Sequence, residues 1–209
     1  MSYNYSSTEG PSGRPKNRDS WKNAISTLSI LILAPLVAVG LTSYVFQSYE
    51  VDGPSMEETL QDRDRLIVWK VPRSVSSITN NSSIPDRGDI IVFNQTESSG
   101  ALAAYDSKQL IKRVIALPGE RIAIKNNTVA VYNETHPSGF NPDSTGDYSD
   151  KLITTSGEID LVVPKDQVFV LGDNRPNSLD SRVFGPVHVD EVVGKLTFRI
   201  FPFNQVRSF

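Results

Sequence analysis

The segment Gln109-Leu-Ile-Lys-Arg-Val-Ile-Ala-Leu117 is one of several in this chain with the pattern of a β-strand. It is short, rich in branched apolar residues, and closed by the turn pair Pro118-Gly119. Its apolar side chains fall on both faces of an extended strand. A helix would need a longer run with a period of 3.6 residues, and no convincing run of that kind follows Phe46. We therefore expect a buried β-strand at this position.

Similar runs lie on either side of this strand, separated by turn signals such as Pro85-Asp-Arg-Gly88 and Asn126-Asn127. Many short strands with turns between them predict a mostly β domain. The predicted strands are Arg65–Val71, Asp89–Phe93, Arg121–Ala123, Thr128–Tyr132, Glu158–Val163, Gln167–Leu171 and Val192–Ile200.

An uncharged apolar segment, Ala24–Phe46, precedes the β region. As a helix it spans ~34 Å, enough for a hydrocarbon core of ~30 Å. Basic residues precede the segment and acidic residues follow it. The positive-inside rule therefore places the N-terminus in the cytoplasm and the chain after residue 48 on the far side. The basic residues are Arg14, Lys16, Arg18 and Lys22, and the acidic residues are Glu50 and Asp52.

A cleaved secretory signal is the alternative interpretation of this segment, since Ala38-Val-Gly40 offers small residues at a suitable spacing. The apolar core of a signal usually runs ~7–15 residues, whereas this one continues to Phe46. We therefore predict a disordered cytoplasmic tail at 1–23, a transmembrane anchor helix at 24–47 and a folded domain at 48–209.

The composition excludes several classes of function. A net charge of −3 gives no electrostatic reason to expect nucleic-acid binding. The absence of Cys removes disulfides, cysteine proteases and thiolate metal sites. With His136 and His188 as its two histidines, the chain is a poor candidate for a histidine-rich metal site. It also has no Gly-rich phosphate loop ending in Gly-Lys-Ser/Thr, and we expect no metal or cofactor.

A covalent hydrolase without Cys needs Ser or Thr as its nucleophile, together with a base. His136 lies in a loop rich in Pro and Gly, and His188 has the setting of an ordinary strand-edge histidine. Lys112 is the remaining candidate base, because its strand is apolar on both faces and burial favours the neutral amine. The alternative is a lysine whose stem snorkels out and keeps its charge in water.

Ser55 is a candidate nucleophile, since Gly53-Pro54 precedes it and can form a turn that presents its hydroxyl. The alternative is a helix N-cap, because Ser55 and Glu58 have the spacing of a capping box. A third polar cluster, Gly172–Gly185, follows a predicted strand. It has the composition of a functional loop or of a surface loop with ion pairs.

Taken together, these segments resemble the type I signal peptidases. The resemblance frames nearly all of residues 24–186 and runs in order along the chain behind the apolar segment. The motifs are Gly-Pro-Ser-Met-x-x-Thr-Leu (53–60), Arg-Gly-Asp-Ile-Ile-Val-Phe (87–93), Ile-Lys-Arg-Val-Ile-Ala-Leu-Pro-Gly-Glu (111–120) and Gly-Asp-Asn-Arg-x-Asn-Ser-x-Asp-Ser-Arg (172–182).

The resemblance implies an antiparallel β-sheet catalytic domain with a smaller inserted β subdomain at about 121–165. It implies Ser55 as nucleophile, Lys112 as general base and Ser178 as the serine that orients the lysine. Gly53 occupies the place of the second oxyanion donor. The resemblance also implies two supporting pairs, Asp180 with Arg182 and Asp173 with Arg113. The substrate pockets would be lined by Val51, Met56, Leu110 and Ile111.

The family's activity would be removal of signal peptides after Ala-x-Ala, by a single-pass protein of a plasma or thylakoid membrane with its catalytic domain outside the cytoplasm. Its partners would be signal peptides of exported preproteins and the lipid bilayer. The chain departs from the family at Glu58, where a proline is usual. Two other functions remain open at this stage: a relative that binds signal peptides without cutting, and a self-cleaving Ser–Lys regulator.

Overall fold

The computed structural model describes Met1 and residues 20–70, 84–95, 108–144 and 153–209. The chain divides into two compact units, residues 1–41 and residues 42–209. Most of the tail predicted at 1–23 lies outside the described residues.

The N-terminal segment forms one helix, α1, over Ser20–Val45. Its section Trp21–Gly40 is long and apolar enough to cross a membrane, and the protein buries none of it. Pro35 lies inside the helix without ending it. The helix begins four residues before the predicted anchor at 24–47 and ends at Val45. The chain is extended from Phe46 onward, where the first strand begins.

The second unit is built on a large antiparallel sheet. Its strands are β1 Phe46–Glu50, β2 Arg65–Lys70, β3 Ile90–Gln95, β4 Lys108–Ala116, β8 Gln167–Leu171, β9 Val187–His188, β10 Val192–Phe201 and β11 Arg207–Ser208. In the described residues the strand order is β1-β2-β10-β3-β4-β8-β9, with β11 paired to β10.

A smaller antiparallel sheet has the order β6-β5-β7. It is inserted in the chain between β4 and β8, with β5 at Arg121–Lys125, β6 at Thr128–Tyr132 and β7 at Ile159–Val162. Asn126 and Asn127 form the turn between β5 and β6, both with positive φ, a conformation that asparagine tolerates better than most residues. The expectation of a mostly β, antiparallel fold behind one apolar helix is confirmed.

Buried apolar side chains form three clusters in the second unit. One fills the space between the small sheet and the ends of β4 and β8, around Ile115, Ile122 and Phe169. Another packs β3, β4 and β8 around Phe93. The third joins Val51, Met56 and Leu60 to β2 and β10. This third cluster fixes the loop between β1 and β2 to the sheet, and that loop carries Ser55.

One face of β1, β2 and β10 exposes aromatic rings instead of burying them. Trp69 of β2 pairs with Phe46 of β1, and its side chain is 50% exposed. On the same face, Phe198 pairs with Ile67 and Phe201 pairs with Arg65. We call this surface the outer aromatic face, and it comprises Phe46, Trp69, Phe198, Phe201 and Phe203.

Candidate active site

Ser55 lies on the loop of residues 51–64 that joins β1 to β2. Two backbone hydrogen bonds, Val51 N–H to Asp64 O and Arg63 N–H to Val51 O, continue the strand pairing and close this loop at 2.9 Å each. Turns follow Ser55 and no helix begins there, so the capping-box interpretation is wrong. Glu58 has a φ of +79°, which no helix N-terminus would impose.

Lys112 lies on β4, and its side chain is almost fully buried, at 2% exposure. Its Nζ is 2.7 Å from the Ser55 Oγ and 2.8 Å from the Ile111 carbonyl oxygen, to both of which it donates. The snorkelling alternative therefore does not apply. The strand brings the amine to the hydroxyl although 57 residues separate the two in the chain.

The surroundings of Lys112 favour the neutral amine. Burial lowers the pKa of Lys112 to about 8, while the carboxylates of Asp180 and Asp173 oppose this shift. Desolvation dominates because the charged form loses its water on burial, and the two carboxylates compensate for that loss only in part. A lysine in this state holds a useful fraction of free base near neutral pH, which an exposed lysine does not.

Ser178 and Gly172 pack against the nucleophile. The Ser178 Oγ is buried and has no hydrogen-bond partner among the described residues, so a direct bond to Lys112 is absent from this arrangement. A Cβ on Gly172 would collide with the Ser178 side chain and would lie 2.5 Å from the Ser55 carbonyl oxygen. Ser178 thus lies beside Ser55 only because residue 172 has no side chain.

Asn174 ties the polar loop after β8 to the nucleophile loop, and sequence reasoning missed it. Its backbone N–H donates to the Ser55 carbonyl oxygen at 3.1 Å. Its Nδ2 donates to the Pro54 carbonyl oxygen at 3.1 Å and to Glu57 Oε2 at 3.0 Å. Its place inside the 172–182 motif is the one sequence signal that could have singled it out.

The two predicted ion pairs both form. Arg113 Nε and Nη2 hold the two Asp173 oxygens at 3.0 and 2.8 Å, and Arg113 Nη1 donates to the Gly88 carbonyl oxygen. Arg182 Nε donates to Asp180 Oδ1 at 2.8 Å, and the fully buried Asp180 also accepts from the Gly172 N–H at 3.1 Å. Through that last bond the Asp180–Arg182 pair fixes the residue beside Ser55.

A further buried arginine was not predicted. Arg175 Nη1 donates to Asp143 Oδ2 at 2.7 Å and also contacts Thr155, while its Nε donates to the Gly172 carbonyl oxygen at 3.1 Å. Asp143 and Thr155 belong to the chain between β6 and β7. Arg175 therefore connects the inserted segment to the loop that packs on Ser55.

A groove of about 370 Å³ opens beside Ser55 and Lys112. Of the predicted pocket residues, Val51, Leu110 and Ile111 line it, whereas Met56 is buried in the cluster with Val51 and Leu60. Tyr49 and Gln109 line it too and were not predicted. Burial raises the pKa of the Tyr49 hydroxyl.

One wall of this groove is a strand with an available edge. In the part of the chain that the structure describes, residues 108–112 of β4 pair with β3 only, since β8 pairs with β4 from Arg113 onward. The unpaired edge of β4 therefore lies next to Lys112, along the segment that lines the groove. Gly53, predicted at the oxyanion position, lines the same groove, but its N–H donates to Asp62 Oδ1 at 2.9 Å.

The model of the family "Signal peptidase, peptidase S26" matches residues 24–201 of this chain. The chain belongs to this signal peptidase family. It is similar to signal peptidase I of Bacillus caldolyticus, with 36% identity over 182 residues, 83% of this chain and 89% of the relative. It is also similar to signal peptidase I of Bacillus amyloliquefaciens, with 31% identity over 196 residues, 92% of this chain and 97% of the relative.

A solved signal peptidase I from Enterococcus faecalis V583 is 30% identical, covering 54% of this chain and 97% of its own, with a TM-score of 0.41. Membership of the signal peptidase family makes the chain a serine-type peptidase, a hydrolase whose function is removal of signal peptides. The self-cleaving regulator that the sequence left open is thereby set aside.

Proposed function

We propose that this signal peptidase is a membrane-anchored endopeptidase with Ser55 as nucleophile and Lys112 as general base, cutting after small residues in Ala-x-Ala. The observation that carries the proposal is the buried Lys112 amine at 2.7 Å from the Ser55 hydroxyl. Nucleophile and base within hydrogen-bond distance, with the base desolvated, form the arrangement that activates a serine without histidine.

The reaction begins when the neutral Lys112 amine takes the Ser55 proton and Oγ bonds to the scissile carbonyl carbon. The resulting ammonium gives its proton to the leaving amide nitrogen as the C–N bond breaks, which leaves an acyl group on Ser55. Lys112 then takes a proton from a water molecule as the water oxygen attacks the acyl carbon. The resulting ammonium gives that proton to the Ser55 oxygen as the ester C–O bond breaks and the carboxyl product leaves.

Charge that develops on the carbonyl oxygen needs a fixed donor. The Ser55 backbone N–H donates to no group among the described residues, so it is available for this oxygen. The Gly53 N–H is occupied by Asp62. We therefore assign the oxyanion to the Ser55 N–H, with any second donor supplied by water.

The substrate would bind as an extended segment along the edge of β4 at residues 108–112. An added strand gains backbone hydrogen bonds, and its alternate side chains point into the groove. Val51, Leu110 and Ile111 contribute apolar side chains to the lining of the groove, and we expect them to contact small apolar side chains at alternate positions of the substrate. This geometry supports specificity for a small-x-small site.

The proposed membrane attachment rests on α1 and on the outer aromatic face. An apolar helix that the protein leaves unburied requires an apolar surrounding. Exposed Trp and Phe rings fit the boundary between lipid and water, and β1, which carries Phe46, follows α1 directly in the chain. Flanking charges orient the N-terminus toward the cytoplasm, so the catalytic unit would lie on the far side of a plasma or thylakoid membrane.

The experiment is cleavage of a preprotein with an Ala-x-Ala site by the detergent-solubilised chain. We expect Ser55→Ala and Lys112→Ala to abolish cleavage and to leave the fold intact. Lys195→Ala, which removes another strand lysine, serves as the matched control and is expected to cut normally. Cleavage by Ser55→Ala would contradict the assigned nucleophile, and binding without cleavage by the wild type would favour a binding-only relative.

A further inference from the structure

The loop that carries Ser55 is closed by a side chain as well as by backbone. Beyond the two backbone bonds at Val51, the next hydrogen bond across the loop joins the Gly53 N–H to Asp62 Oδ1 at 2.9 Å. The Asp62 carboxylate thus takes the place of a backbone carbonyl in the next rung of the ladder between the two arms of the loop.

Gly53, the residue that Asp62 binds, has an unusual backbone conformation. Gly53 has a φ of +91°, a region that only glycine enters readily. Pro54 follows with its φ fixed by the ring, and Ser55 comes next. Few rotatable backbone bonds therefore lie between the Gly53 N–H and Ser55. Fixing the Gly53 N–H restricts the orientation of the Ser55 side chain and of the Ser55 N–H.

The opposite side of the turn is already fixed by Asn174, which binds the carbonyl oxygens of Pro54 and Ser55. Without Asp62, the hydrogen bonds nearest to the entry of the turn among the described residues would be the backbone bonds at Val51. Glycine at that point has more backbone freedom than any other residue. Ser55 would then sample orientations away from the 2.7 Å contact with Lys112.

We propose that Asp62 is a positioning residue for the nucleophile: by accepting the Gly53 N–H it holds the turn in the conformation that points Ser55 at Lys112. The proposal rests on the proposed role of Ser55. Asp62 acts through Gly53, so its effect falls on the alignment of attack and of the Ser55 N–H. Substrate affinity, which depends on the groove and on β4, is left nearly unchanged.

The test compares two near-isosteric variants of the full-length chain. Asp62→Asn keeps an oxygen acceptor for the Gly53 N–H, whereas Asp62→Leu has a similar shape and no acceptor. With a fluorogenic Ala-x-Ala peptide we expect Asp62→Leu to lose roughly 5- to 10-fold in kcat with KM changed less than about twofold, as befits one lost orienting bond. Asp62→Asn is expected to stay within about twofold of wild type.

Arg63→Gln is the matched control. Arg63 forms a weak, exposed ion pair with Asp62 at 3.8 Å, and its loss leaves the Gly53 bond in place, so its kcat is expected to be that of the wild type. A normal kcat in Asp62→Leu overturns the proposal. An equal loss in Asp62→Asn and Asp62→Leu assigns the effect to charge and overturns it too.

Thermal unfolding separates positioning from a purely structural role. A loss of kcat in Asp62→Leu without a change in melting temperature supports positioning, and a parallel fall in both overturns it. Ser55→Ala is assayed alongside. Activity in Ser55→Ala would contradict the assignment of Ser55 as the nucleophile. If Ser55→Ala is inactive and Asp62→Leu is fully active, only the proposed role of Asp62 is contradicted.

Discussion

At the scale of single residues, the proposed mechanism depends on the protonation state of the Lys112 amine. The amine must be neutral to take a proton, and burial lowers its pKa to about 8. We therefore expect kcat/KM to rise with pH, to reach half of its maximum near pH 8 and to level off above. A pH–rate profile from about pH 6 to about pH 10 measures this. Half-maximal activity near pH 6.5 would instead indicate a histidine base.

The same burial reduces stability. The folded pKa of Lys112 lies below its unfolded value, so between about 8 and 10.5 the unfolded chain holds the proton that the folded chain has lost. This contribution to stability is therefore lowest below about pH 8 and rises with pH across that window. Lys112→Met removes the buried charge, and we expect an inactive variant that is about 1–3 kcal/mol more stable at neutral pH, measured by denaturant unfolding. A less stable Lys112→Met would contradict this account.

Gly172 is a residue at which one methyl group should stop the reaction. A Cβ there meets Ser178 and the Ser55 carbonyl oxygen, so one of these must move. A displacement of about 1 Å at a reacting group costs on the order of 100-fold in rate. We expect Gly172→Ala to lose about that much in kcat while remaining folded by circular dichroism. Wild-type turnover in Gly172→Ala would show that the packing can relax.

The sequence predicted these residues unevenly. Ser55 and Lys112 were found because each lies in a recognisable motif, although the residues alone left a capping serine and a snorkelling lysine open. Asn174, Asp62 and Arg175 act through contacts with segments distant in the chain or across a loop. Such contacts form only in the folded chain, and no local periodicity or propensity predicts them. The proximity of these residues to the site could therefore be seen only in the structure.

At the scale of elements, the ion pair between β4 and the loop after β8 supports the site. Asp173 is the carboxylate that neutralises the buried Arg113, whose side chain is 9% exposed. Asp173→Ala removes this carboxylate from beside a buried cation, and such a loss typically costs about 3–5 kcal/mol. Urea denaturation should show this loss, whereas Asp160→Ala, which breaks the exposed pair with Arg121 on the small sheet, should change stability little. Similar losses of unfolding free energy in Asp173→Ala and Asp160→Ala would contradict the expected difference between the buried and the exposed ion pair.

Element boundaries were predicted best where apolar runs end at turns. Thr128–Tyr132 and Gln167–Leu171 are strands with the predicted limits. β1 was missed, because Phe46 closes the apolar run and the next residues alternate only briefly before Gly53. Its pairing with β2 across the Ser55 loop, a tertiary feature, makes it a strand.

At the scale of the whole molecule, the two compact units suggest separable roles. We expect a chain lacking residues 1–41 to be released from membranes and to retain cleavage of short peptides in solution. Its cleavage of a membrane-inserted preprotein should fall at least tenfold, because the shared surface no longer concentrates enzyme and substrate. Carbonate extraction measures the membrane association, and parallel cleavage assays with a short peptide and with the membrane-inserted preprotein measure the two activities. Continued firm membrane association of the truncated chain would show that the outer aromatic face is sufficient for attachment without α1.

The backbone conformation of Glu58 limits which residues can replace it. Its φ of +79° is closed to proline, whose ring fixes φ near −65°, although proline is the residue that the family resemblance led us to expect there. Glu58→Pro would therefore force the turn after Ser55 into another conformation, and we expect it to reduce activity. Engineering of this enzyme should therefore leave position 58 alone or use glycine, which adopts a positive φ readily.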